Sequence, residues 1–124
     1  MDIAELQDRV REITRGIEHP RVGAALALAE ECGEVMRCVL DGEYYGKDMH
    51  DALKDEVGDV LIALAEVCDR YGIALADAAT HAVAKLERKA PGWKEELGDR
   101  LAVLRERMDG PEREAGPGPG AGSS

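Results

Sequence analysis

The 124 residues suffice for one domain and not for two. At 44% hydrophobic and 34% charged, with 3% aromatic and no Phe, the composition is that of a folded chain with an aliphatic core. A net charge of −10 without a dense Lys/Arg stripe excludes nucleic acid as the main partner. An acidic surface also repels a free nucleotide, so any handling of phosphates would need metal ions to screen the carboxylates.

Ile3, Leu6, Val10, Ile13 and Ile17 recur at steps of three and four and mark a first amphipathic helix, closed by His19-Pro20. A second helix is expected over 22–40, carrying Ala25, Leu28, Cys32, Val35, Met36 and Val39 inward, with Asp41-Gly42 as its stop. A third is expected over 50–71, with Leu53, Val57, Val60, Leu61, Leu64 and Cys68 on its apolar stripe and Gly72 as terminator. A fourth runs over 75–89 and breaks at Pro91-Gly92. A last one, over 95–108, carries Leu97, Leu101, Leu104 and Met108. Beyond Asp109 the chain is Gly, Pro, Ser and charge, so 1–109 reads as the helical domain and 110–124 as a disordered tail. The fold class is all-α, a bundle of four to five helices built on 22–40 and 50–71.

The three cysteines, Cys32, Cys38 and Cys68, form no C-x-x-C pair and read as small core residues in a reducing compartment. Met1 to Arg15 is polar and charged, unlike a secretory leader, and the longest apolar run, Ala24 to Ala29, is far too short to span a bilayer. A cytoplasmic protein without a membrane partner is expected.

The chemistry is concentrated in two acidic motifs, Glu30-Glu31-Cys32-Gly33-Glu34 and Glu56-Val57-Gly58-Asp59, one on each long helix. Residues three apart share a helix face, so Glu31 pairs with Glu34 and Glu56 with Asp59. Glu31 falls between Leu28 and Val35, and Glu56 between Leu53 and Val60, so both interrupt an apolar stripe. Crowded, partly buried carboxylates need a positive charge, and Arg37 and Lys54 lie on other faces. Oxygen donors in this number favour a hard cation, Mg²⁺ or Mn²⁺ in its place. Gly33 and Gly58 each cost about 1 kcal/mol in a helix and suggest close helix approach or room for a ligand. The plainer alternative is a set of charged surface positions. A di-iron bundle would need Glu-x-x-His motifs, and none of His19, His50 or His81 has a Glu three residues before it.

The pattern E-x-x-E, 21 residues, then E-x-x-D resembles the signature of the all-α nucleoside triphosphate pyrophosphohydrolases, which include MazG, dimeric dUTPases and dCTP pyrophosphatases. Leu28 to Val35 and Asp55 to Leu61 read like MazG-type motif helices, and the similarity covers roughly residues 20 to 93. The resemblance implies hydrolysis of a (deoxy)nucleoside triphosphate between the α- and β-phosphates, in nucleotide-pool housecleaning, with Glu31, Glu34, Glu56 and Asp59 as Mg²⁺ ligands. Glu30 then becomes the base that takes the water proton, or a residue bearing on the ligands from behind. Basic residues after the second motif, Lys85 and Arg88, would hold the triphosphate. His19-Pro20-Arg21 resembles the start of a dCTP-type binding region, and Trp93 could stack on a base or cap the core. Family members are dimers or tetramers, so a homo-oligomer is expected. The alternative is a noncatalytic helical module that keeps the fold for nucleotide sensing or assembly.

Overall fold

The computed structural model describes residues 1–110 and is all-α, with four helices in the order α1 Ile3–Ile13, α2 Arg21–Tyr45, α3 His50–Arg70 and α4 Leu75–Asp109. The described residues contain no strand. The proposed tail, apart from Gly110, lies outside them. Two compact units divide the chain, the first being Met1–Thr80, which holds α1, α2, α3 and the first residues of α4; the second begins at His81.

Helix α1 starts where the Asp2 carboxylate accepts the Glu5 N–H at 2.8 Å. It ends at Ile13, earlier than Pro20 alone would dictate. Thr14 turns its hydroxyl back onto the Val10 carbonyl at 2.7 Å, and Gly16 takes a positive φ of 89°, which leaves Ile17 outside the helix and exposed. Helix α2 begins at Arg21 behind Pro20 and runs five residues past the expected stop. Gly42 stays helical, its Cα side lying against the Met49 side chain. The left-handed residue that ends α2 is Gly46, at φ 63°. Four residues later α3 begins, and the two helices pack along each other as a hairpin. Helix α3 closes at Gly72, φ 68°, as its sequence implies.

The expected break at Pro91-Gly92 is not made: α4 continues through both residues to Asp109. Pro91 forfeits one backbone bond, but a single proline kinks a helix without ending it when strong helix formers flank it on both sides. Gly92 keeps a negative φ and supplies no stop.

Helices α1 and α2 both pack on α3. Val10, Ala65, Cys68 and Leu75 form the buried centre, with Leu6 and Leu64 against it. The core is thin. The most buried residues are two alanines, Ala24 and Ala65, at 1% exposure. On α2 the inward residues are Ala24 and Cys38, flanked by Leu28 and Val35. Ala25, Cys32, Met36 and Val39, expected inside, are exposed. The stripe is rotated because α2 is apolar on two faces, so periodicity alone could not say which face meets α3. Cys38 and Cys68 are buried as expected, and Cys32 is not.

One buried polar side chain organises the junction of α1, α3 and α4. Gln7, at 5% exposure, donates to the Ile73 carbonyl at 2.8 Å and accepts the Leu75 N–H at 2.8 Å. Beside it, Arg11 clasps Asp69 through Nε and Nη2, the shortest contact being 2.6 Å. Among the described residues no helix is long and apolar enough to cross a membrane.

Candidate metal centre

The hairpin of α2 and α3 is antiparallel, so a motif ten residues into α2 meets a motif in the first half of α3. This brings one carboxylate oxygen from each of Glu31, Glu56 and Asp59 within 4.8 Å of one another. All three side chains are half-buried. None takes part in an ion pair among the described residues, whose salt bridges involve other groups.

Glu34 stands at the edge of this group. It is half-buried and near enough to push Glu56 and Glu31 upward, but it is not among the residues whose oxygens converge. Burial, followed by the charges of Asp59, Glu30 and Glu34, holds the Glu31 carboxyl above its ordinary range. Glu56 is pushed up in the same way, by burial first and then by Asp59, Glu34 and Glu31. The thiol of Cys38, buried between the helices, is raised by burial and then by Glu56, so it is protonated and inert beside the site.

Three oxygens from two helices, crowded and without an ammonium or guanidinium partner, fit a divalent hard ion completed by water or phosphate oxygens. The glycines of the motifs need a different account from close approach between α2 and α3. A Cβ built at Gly33 or at Gly58 meets nothing within 4 Å.

The other candidate residues fall outside the converging group. Glu30 is exposed on α2, next to Glu31. His19, in the turn before α2, is held by Glu66 of α3: one carboxylate oxygen takes the His19 backbone N–H at 3.0 Å and faces ring Nδ1 at 2.6 Å. Glu66 lies outside both acidic motifs, yet it falls seven residues past Asp59 and ten past Glu56, on the same α3 face. Lys85 and Arg88 lie one turn apart on α4 in the second unit, both exposed, and Trp93 follows at 47% exposure. Among the described residues neither the lysine nor the arginine is in a salt bridge, and the indole has one wet side.

The described residues thus form an all-α chain with three carboxylates converging from an antiparallel helix pair. Residues 23–94 match the family described as the MazG nucleotide pyrophosphohydrolase domain. That span is more than half of the chain and contains both acidic motifs, so the chain belongs to the MazG nucleotide pyrophosphohydrolase family. Comparison with curated proteins and with solved structures gave no match.

Proposed function

We propose that this protein is a Mg²⁺-dependent nucleoside triphosphate pyrophosphohydrolase, which converts a (d)NTP and water to the (d)NMP and pyrophosphate. The observation that carries the reading is the convergence of Glu31, Glu56 and Asp59 within 4.8 Å inside the family's matched segment. When bound there, a divalent ion would neutralise triphosphate charge and lower the pKa of water. Glu31, Glu56 and Asp59 would hold it, and Glu34, half-buried beside them, would be the fourth carboxylate ligand. Mn²⁺ suits the same donors.

The remaining roles belong to side chains of the chain itself. Glu30, exposed and adjacent to the donors, takes the proton of the attacking water. Lys85 and Arg88 present two positive charges on one helix face for the phosphates, as point charge and fork respectively. His19 and Trp93 are assigned to the base end of the substrate. The hydrolysis serves housecleaning of the nucleotide pool.

The test is product analysis with each common NTP and dNTP, in Mg²⁺ and in EDTA. Monophosphate and pyrophosphate that vanish with EDTA and with Glu56→Gln would support the reading. Folded protein that turns over none of these nucleotides would defeat the claim for them.

A further inference from the structure

The turn that leads into α2 carries a histidine with one ring nitrogen held and the other open. A single oxygen of Glu66 takes the His19 backbone N–H at 3.0 Å and faces ring Nδ1 at 2.6 Å. A carboxylate only accepts, so the ring must present a proton from Nδ1. In a neutral imidazole this leaves Nε2 with a bare lone pair. Among the described residues Nε2 has no hydrogen-bond partner, and the imidazole is 53% exposed where Glu66 is 12%. Gly23 steadies the ring from a second side. A Cβ there would lie 3.3 Å from Cδ of Pro20 and 3.5 Å from Cβ of His19, so the missing side chain lets this turn settle onto the start of α2.

The position of the ring along the hairpin gives it a use. Glu66 follows Asp59 by seven residues on one face of α3, about 10.5 Å along the helix. That is comparable with the reach of a nucleotide from its α-phosphate to the far edge of its base. Val60 to Ala65, the residues between, include no charged or polar side chain, and Ile62 is 45% exposed. A triphosphate held at Glu31, Glu56 and Asp59 can lay its sugar and base along this uncharged stretch, which ends at Glu66 and His19.

A lone pair reads chemistry of one sign. Nε2 accepts from an exocyclic amino group, N4 of cytosine or N6 of adenine. The oxo group that replaces it in uracil or hypoxanthine meets Nε2 lone pair to lone pair. Without Glu66 the ring is free to carry its proton on Nε2 instead, and then either kind of base is accepted.

The geometry points to Glu66 as a positioning residue that keeps the His19 proton on Nδ1, so that Nε2 selects nucleoside triphosphates with an amino-bearing base over their oxo counterparts. This rests on the pyrophosphohydrolase reading and on His19 standing at the base end of the substrate.

Matched substrates test it on the full chain with Mg²⁺ at pH 8, above the ordinary range of an imidazole. CTP against UTP and ATP against ITP exchange the amino for the oxo group. The wild type should favour the amino member of each pair about tenfold in kcat/KM, the upper end for one net hydrogen bond. Glu66→Ala, and His19→Gln with an amide that both donates and accepts, should each bring these ratios within about twofold. A merely structural Glu66 would lower all four nucleotides alike and leave the ratios unchanged. Long-range proton–nitrogen NMR of the histidine rings gives a second readout, with the His19 signals identified by their loss in His19→Gln. In the wild type Nδ1 should be protonated and Nε2 bare, and Glu66→Ala should move the proton towards Nε2. Equal turnover within each pair by the wild type, or a proton on its Nε2, would overturn the inference and leave the pyrophosphohydrolase reading standing. No turnover of any of the four would defeat that reading, and the selection with it.

Discussion

The side-chain oxygen of Gln7 accepts the backbone N–H of Leu75 at 2.8 Å, so a residue of α1 caps the first turn of α4. The amide nitrogen of the same Gln7 donates to Ile73 at 2.8 Å, which satisfies the loop between α3 and α4. Gln7 is 5% exposed, and water cannot easily replace either bond. Gln7→Ala leaves a buried donor and a buried acceptor unpaired and should destabilise the fold by about 1–3 kcal/mol. Urea unfolding followed by circular dichroism measures this. A loss below roughly 0.5 kcal/mol would show that the amide is not a structural tie.

The role of Gln7 is not legible in the sequence. Its environment comes from residues 66 and 68 positions further along, and no local pattern announces such a contact. Local signals did better where one physical cause dominated. Positive-φ Gly72 ends α3, and the two acidic motifs interrupt their apolar stripes as half-buried side chains. The signals failed where two causes competed. Gly42 and Gly46 both follow the second apolar run, and only Gly46 adopts the left-handed turn that stops a helix. At α2 the inward and outward faces are both aliphatic, so periodicity places Met36 in the core although it is 51% exposed. The His19–Glu66 contact was half legible, since Glu66 shares the face of Glu56 and Asp59 but its partner sits on a turn.

Glu56 is raised by burial and by four neighbouring carboxylates, so the metal-free fold carries repulsion that a neutral isostere removes. Glu56→Gln should therefore melt higher than the wild type in EDTA. With Mg²⁺ the order should reverse. Ion at 100 times its Kd stabilises the wild type by about 2.7 kcal/mol through mass action, and the variant should gain almost none of this. Calorimetric scans of both proteins in EDTA and Mg²⁺ give the four melting temperatures. Equal Mg²⁺ shifts in the two proteins would remove Glu56 from the donor set.

The same shifts set a pH dependence with a definite sign. The folded carboxyls of Glu31 and Glu56 lie above the ordinary value of 4.5, so the metal-free native state holds protons more tightly than the unfolded chain. The stability they contribute is fully present below pH 4.5 and is lost as pH rises through their raised folded values. In EDTA their contribution should thus fall from mildly acid towards neutral pH. Metal binding needs the ionised forms, so the extra melting temperature given by Mg²⁺ should grow over the same interval. Melting curves with and without Mg²⁺ across that range follow the difference directly. A Mg²⁺ increment that is flat with pH would place the ion on groups other than these.

His19 connects the turn before α2 to α3 through Glu66, whose side chain is only 12% exposed while the imidazole is 53% exposed. The pair can act as a strap on the fold, and the ring's open side can also meet a substrate. Single and double substitutions separate the two roles. His19→Ala and Glu66→Ala each remove the contact, and the double-mutant cycle on unfolding free energy should give a coupling of about 0.5–1 kcal/mol. If His19 also touches the nucleotide, His19→Ala should raise KM several-fold more than Glu66→Ala does, with kcat changed alike in both. Identical KM values would restrict His19 to the strap, and the base end of the substrate would then be sought around Trp93.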